Sequence, residues 1–293
     1  MKTCILCQSN PPIENSHVVS KFVFRWLKAC TPHGTLRNTD DIGKPYQDGW
    51  KSDYLCTSCE VLFSKWEGAF SAKFFRPWVE KAQSTYQVTE AISLFLASIH
   101  FRCLQQAMDK KPQRGLAQST VMHQELRQVC LAELIPPTGC HFYMEFVPLI
   151  RDPACGLPAG SNTYLHQSVH GTTFPFYSPH TNEEVTISYV KLPSIITLFS
   201  RSDLEKTFGL PGAAGTIVPK TGTMDASKQG GLLVQLMNET IAESAAKIQQ
   251  SYSQIPPKQL QKNILKIQSA LNPRDFRAHE IYLADMALMP DDI

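Results

Sequence analysis

Apolar residues recur at helical spacing in the stretch "LCTSCEVLFSKWEGAF", where Cys59, Phe63, Trp66 and Phe70 fall at i, i+4, i+7 and i+11. That period predicts a helix from about Cys56 to Phe70 with this stripe buried. Pro77 in "FFRPWVEKA" is then expected to break the chain and close a first module at about residue 80. A second helical pattern runs from Val88 to Lys110, with Ile92, Phe95, Leu96, Ile99 and Cys103 on one face. A third spans about Gln118 to Leu134 and stops before Pro136-Pro137.

Between Cys140 and Phe199 the pattern changes. "CHFYMEFVPLI", "TYLHQSVHGTTFPFY" and "EVTISYVKL" are rich in aromatic and β-branched residues and punctuated by Pro and Gly, which predicts a small antiparallel sheet. Gly230 to Tyr252 and Pro257 to Leu271 return to helical spacing. Nearer the N-terminus, Val18 and Val19 suggest a short strand, and "KFVFRWLKA" alternates apolar and basic residues as a strand does. Residues 31–50 are turn-rich, and Asp48-Gly49 is a hairpin turn signal. The expected fold class is α+β, with a small module over residues 1–80 and a mixed helical and antiparallel-sheet domain over residues 81–293.

With 293 residues, 43% of them apolar, the chain has ample material for a core. A formal net charge of +2 supplies no global field toward nucleic acid or an anionic membrane, so such a partner needs a local basic patch. Lys21, Arg25, Lys28, Arg37, Lys44 and Lys51 could meet backbone phosphates, but Asp40, Asp41, Asp48 and Asp53 interleave with them. "MKTCILCQSNPP" lacks the apolar core of a signal peptide, and Ala91 to Phe101 is too short to span a bilayer. The expectation is a cytoplasmic protein with no membrane partner.

Nine cysteines in a reducing compartment are read as ligands or small buried residues. Four of them stand in knuckle spacing, Cys4 and Cys7 in "CILC" and Cys56 and Cys59 in "CTSC". Four thiolates satisfy a tetrahedral Zn²⁺ and leave no open position, so the expected site is structural. A redox reading fits less well, since one such pair suffices for it and the first pair here lies in a short arm. Cys30, Cys103, Cys130, Cys140 and Cys155 are expected to be buried singles. Residues 8–55 intervene between the knuckles, so they enclose a substantial insert.

Two segments, "ENSHVVSKFVFRW" and "QDGWKSDYLCTSCEVLFSKWEGAF", carry a resemblance. Knuckle, strand ending near a His, hairpin, knuckle and helix together resemble the zinc-knuckle type of the HNH endonuclease superfamily, the ββα-metal nucleases with a treble-clef module. Bacterial proteins of this kind are included in the likeness, which covers residues 1 to about 80. It implies His17 as general base and Glu60, directly after the last Cys, as a ligand for a catalytic Mg²⁺ or Mn²⁺. Where the family commonly has Asp before the His, this chain has Ser16, a poor ligand for such an ion. Glu14 and Asp48 are the other carboxylates within the likeness that could reach the ion. The implied activity is phosphodiester hydrolysis of DNA more than RNA, with a role against foreign DNA. The alternative is a non-catalytic zinc module that binds nucleic acid or a protein, and a third reading puts the work in the C-terminal domain.

Three further features are weighed against plainer readings. Glu67 lies seven residues after Glu60 on a neighbouring face, roughly 10 Å along the helix axis, too far for both to chelate one ion unaided. His166 and His170 would share a strand face, with His141 near in sequence, but no knuckle or carboxylate spacing supports a second metal site there. "GLPGAAGT" lacks the Gly-Lys-Ser/Thr ending of a phosphate loop and reads as a glycine-rich turn.

Overall fold

The computed structural model describes residues 2–31, 34, 36–38, 41–46, 48–81, 83–110, 116–134, 139–178, 180–209, 216–219, 221–226, 238–253, 255–258, 261–262, 265 and 277–288. The protein is α+β. It forms two compact units, each drawing on segments from both sides of residue 80. One comprises Met1–Ser20, Trp50–Phe146 and Val169–Leu233, the other Lys21–Gly49, Val147–Ser168 and Val234–Ile293. No helix among the described residues is long and apolar enough to cross a membrane.

The first unit opens with strand β1 (Ser16–His17). It pairs antiparallel with β4 (Lys51–Ser52), Ser16 opposite Ser52 and His17 opposite Lys51. The strand is shorter and earlier than Val18-Val19 suggested; both valines are fully buried, and the Val18 amide donates to the Trp50 carbonyl at 2.9 Å. Helix α2 (Thr57–Phe70) follows and buries Cys59, Phe63, Trp66 and Phe70, the expected stripe.

Pro77 does not break the helix. The run continues through a π-helical turn, Ser71–Phe75, into α3 (Arg76–Lys81). The amide of Arg76 reaches back five residues to the Ser71 carbonyl. That wider turn shifts the hydrogen-bond register just ahead of the proline, which lacks an amide proton, so the chain passes it without a kinked end. Phe70 stacks on Phe95 with centroids 4.0 Å apart, and Phe74 on Tyr86 at 4.8 Å.

Helix α4 (Glu90–Lys110) is buried along nearly all of its middle. Every residue from Ile92 to Leu104 is buried, Ser93, Ser98, His100 and Arg102 among them, the pattern of a central helix rather than a surface one. α5 (Leu116–Ala132) packs beside it, with the His123 ring stacked on Phe101 at 4.4 Å. The unit also holds β5 (Thr85–Val88), β6 (His141–Phe146), β7 (His170–Ser178), β8 (Glu183–Leu192), β9 (Ile195–Ser200), helix α7 (Leu204–Phe208), β10 (Thr216–Ile217) and β11 (Gly222–Asp225). Five of these strands form an antiparallel sheet in the order β10-β6-β9-β8-β7, while β11 pairs with β5. His100 of α4 reaches the sheet, its Nδ1 2.8 Å from the Ser188 hydroxyl and its Nε2 3.1 Å from that of Thr197.

The second unit corrects two expectations. "KFVFRWLKA" is helix α1 (Lys21–Ala29), not a strand: the buried residues are Val23, Phe24 and Leu27, which is helical spacing, whereas alternation would bury Phe22, Phe24 and Trp26 together. In the hairpin that follows, β2 (Leu36–Asn38) pairs antiparallel with β3 (Asp41–Tyr46), Asn38 opposite Asp41, so Asp48-Gly49 lies beyond it. The second correction is "SNTYLHQ", which forms helix α6 (Ser161–Gln167). Consequently His166 is helical and His170 begins β7, and the two do not share a strand face. Asp285 holds the start of α6, accepting from the Asn162 and Thr163 amides at 2.8 and 3.0 Å. Helices α8 (Asn238–Ser253) and α9 (Arg277–Met286) both pack on α6. Most of Pro257 to Leu271, residues 230–237 and residues 210–215 of the glycine-rich turn lie outside the described residues.

Candidate metal centre and active site

The two knuckles converge. The Sγ atoms of Cys4, Cys7, Cys56 and Cys59 all lie within 4.8 Å of one another. Sulfurs at the corners of a tetrahedron with metal–sulfur bonds of about 2.3 Å stand about 3.8 Å apart, and Cys7 Sγ is 3.8 Å from Cys56 Sγ. Local backbone geometry explains the fit. The chain turns after Cys7 through Gln8, whose φ is +59°, and the Gln8 amide donates to the Cys4 carbonyl at 2.9 Å. This turn aims the Asn10 and Ser9 amides at the Cys7 sulfur, and together with Cys4 and Cys56 they lower its pKa to about 6 against the opposing effect of burial.

On the other side, Cys56 caps α2 and Cys59 lies in its first turn, where the positive end of the helix dipole favours a thiolate. Burial and the neighbouring Cys56 and Cys4 sulfurs push the Cys59 thiol far up. Four crowded sulfurs in one place become stable as thiolates when a cation balances them, so the donor set fits a metal ion such as Zn²⁺. Among the described residues this is the group of His, Cys, Asp and Glu side chains that could hold a metal.

The remaining cysteines are free thiols. Cys30, Cys103 and Cys130 are buried, as expected, Cys140 is half-buried beside Glu125, and Cys155 is exposed. Burial pushes the Cys103 thiol up to about 12 and, with Glu125 adding to it, Cys140 to about 11. These are inert thiols rather than nucleophiles.

Next to the cluster the β1–β4 pair brings Ser16 and His17 against the first turns of α2. Ser16 is buried, and its hydroxyl donates to the Ser52 carbonyl at 2.9 Å while lying beside the Glu60 carboxylate. Burial raises the pKa of Glu60; Arg102 opposes that rise, Glu67 adds to it, and Ser16 and His17 favour the ionised form. Glu60 Oε1 is buried and finds no hydrogen-bond partner among the described residues. A carboxylate oxygen is an acceptor, so an unanswered one at a site with an imidazole is a place for a cation or a bound water.

Arg102 was not anticipated, and it organises this corner. Its side chain is 1% exposed. Nη2 donates to Glu67 Oε1 at 2.9 Å, Nη1 to the His17 carbonyl at 2.9 Å and Nε to the Ser98 carbonyl at 3.2 Å. The guanidinium carbon also lies 5.1 Å from the centre of the Phe63 ring. The signal was in the sequence: "LFLASIHFRCL" places one cation in a run otherwise apolar enough for a core helix, and a buried cation requires an anion.

The other expected site residues fall elsewhere. Glu14 is exposed. Asp48 belongs to the second unit, where its Oδ1 accepts from the Gly49 amide at 3.0 Å. The three histidines of the imagined second site have separate surroundings. His141 lies by Tyr143, His166 Nε2 is 3.2 Å from the Pro148 carbonyl, and His170 lies by Tyr189. The chain matches no family model, no curated protein and no solved structure.

Proposed function

We propose that the chain is a metal-dependent phosphodiester hydrolase of the ββα-metal kind, acting on DNA in preference to RNA. In this reading a structural Zn²⁺ on Cys4, Cys7, Cys56 and Cys59 holds β1 and β4 against α2. The observation that carries it is the buried, unpartnered Oε1 of Glu60 in the same corner as His17. Glu60 is the residue that would hold a Mg²⁺ or Mn²⁺ ion, with phosphate oxygens and water completing the shell, since Ser16 spends its proton on the Ser52 carbonyl. When bound, that ion would neutralise charge on the scissile phosphate and on the leaving 3′ oxygen.

The chain's own part is acid–base work and orientation. His17 takes a proton from water as the oxygen attacks phosphorus and the 3′ oxygen departs, the part of a general base. The β1–β4 pairing fixes the strand that carries the imidazole.

A zinc-stabilised binding module without hydrolysis is the rival, favoured by the hydroxyl of Ser16 standing where a carboxylate ligand is expected. The test is incubation of supercoiled plasmid and of RNA with Mg²⁺ or Mn²⁺, with and without chelator, using wild type and His17→Ala. Nicking by wild type alone supports the hydrolase. Retarded bands with intact nucleic acid favour the rival.

A further inference from the structure

A buried guanidinium is a permanent charge, and leaving one unpaired is strongly destabilising. Arg102 is answered by Glu67, 2.9 Å away and 17% exposed. Helix geometry alone puts Glu67 about 10 Å along α2 from Glu60, yet both carboxylates and the guanidinium are close enough to interact. Arg102 also favours the ionised form of Glu60, but it is ion-paired with Glu67, so two carboxylates and one guanidinium leave the corner with one net negative charge. The same guanidinium donates to the carbonyl of His17, so a single planar group fixes the strand of the base and the charge next to the acid.

We propose that Arg102 is the positioning residue of this site: it ties the His17 strand to α2 and offsets one of the two carboxylates, so that Glu60, Glu67 and Arg102 together present one net negative charge to a divalent cation. One negative charge attracts the ion without trapping it. Once the ion is bound the corner is net positive, which suits an anionic phosphodiester; two free carboxylates would instead leave it neutral. The inference rests on reading Glu60 as the cation ligand, and hydrolysis itself is not required for it.

The test uses the full, zinc-loaded chain with Mn²⁺ alone as probe, its affinity measured by titration calorimetry or by the electron spin resonance of free Mn²⁺. Glu67→Gln leaves Arg102 uncompensated and is expected to weaken Mn²⁺ about tenfold. Adding Arg102→Met to that variant removes the excess charge and is expected to return affinity to within about threefold of wild type. A merely structural pair would make the double variant as weak as the single one or weaker, and that result overturns the proposal. If the double variant loses its zinc, Arg102→Lys decides: the retained charge should keep wild-type Mn²⁺ affinity, and a loss as large as that of Glu67→Gln overturns it. Wild type that binds no Mn²⁺ overturns it too. Mn²⁺ binding with this charge pattern but no cleavage leaves Arg102's role standing and removes only the hydrolase reading.

Discussion

The backbone carbonyl of His17 accepts a 2.9 Å hydrogen bond from the guanidinium of Arg102, 85 positions later in the chain. Other bonds of the same reach surround it. Arg127 of α5 donates to the Leu6 carbonyl at 2.6 Å inside the first knuckle, and the Tyr54 hydroxyl donates to Asp109 at 2.6 Å beside the second. On the apolar side Phe63 meets Phe101 edge-on at 6.5 Å and Phe70 stacks on Phe95. The opening residues are thus clasped by α4 and α5. A fragment ending at Lys81 is expected to bind zinc yet show neither near-ultraviolet dichroism nor a cooperative melt, because it exposes the stripe of α2 and leaves Glu67 unpaired. A sharp melting transition for that fragment would contradict this.

Zinc removal should act through the four knuckle sulfurs and not through the other thiols. Cys4→Ser or Cys59→Ser is expected to abolish stoichiometric zinc and to cost several kcal/mol, since binding energy at such sites is folding energy. Cys155→Ser, at an exposed thiol, should leave metal content and melting temperature unchanged. Elemental analysis beside thermal melts distinguishes the two classes.

On the proposed reading, Glu60 sets stability against cation binding. A buried oxygen without a partner costs on the order of 1–3 kcal/mol, so Glu60→Met should raise the stability of the zinc-loaded protein, with no Mn²⁺ added, by about 1 kcal/mol. The same change should erase the Mn²⁺-induced rise in melting temperature, because a ligand stabilises only what it binds. His17→Ala should keep that rise and lower cleavage by about 10²- to 10⁴-fold, the usual contribution of a general base. An unchanged Mn²⁺ response in Glu60→Met would remove the residue from the cation site.

What the sequence revealed was what is encoded locally. The knuckle cysteines sit three apart and α2 repeats its apolar positions every three to four residues, so both are legible in the chain itself. Helix α1 is not, because its basic residues at Lys21, Arg25 and Lys28 separate apolar ones in a way that imitates a strand until burial shows Val23 and Leu27 on one side. Helix α6 differs from its local pattern for a related reason: aromatic and β-branched content favours a strand, while Asp285, 123 positions after Asn162, accepts amides of its first turn. Arg102 was missed because its partners, Glu67 and His17, lie 35 and 85 positions away. No window of sequence contains that relationship.

Acid should destabilise the protein through two histidines held neutral. Burial lowers the pKa of His100 to about 3, and burial together with Arg127 lowers His123 to about 4. In the unfolded chain both titrate near the ordinary value of about 6.5. Between that value and the folded ones the unfolded state binds more protons, so stability is complete above about pH 6.5 and falls as pH drops. Each histidine contributes a slope of about 1.4 kcal/mol per pH unit. From pH 7 to pH 5 the loss should be on the order of 2 kcal/mol for each. Urea midpoints at the two pH values measure it, and His100→Gln should roughly halve the difference while lowering stability at pH 7 through the lost bonds to Ser188 and Thr197.

Gly49 is required for space, and Gly34 for conformation. The φ of Gly49 is not in the left-handed region, but a Cβ there would stand 1.9 Å from Cε2 of Phe24, whose ring is 5% exposed. Gly34 is the reverse case, with φ +62° and nothing within 4 Å of a Cβ. Gly49→Ala should therefore cost about 1–3 kcal/mol by overpacking, and Gly34→Ala on the order of 1 kcal/mol by backbone strain alone. The two causes separate in a double variant. Phe24→Leu reduces the crowding that Gly49→Ala creates, so the pair should be less destabilising than the sum of the single changes, a coupling of about 0.5 kcal/mol or more. Phe24→Leu combined with Gly34→Ala should add without coupling, and equal coupling in both pairs would refute the assignment of Gly49 to the Phe24 ring.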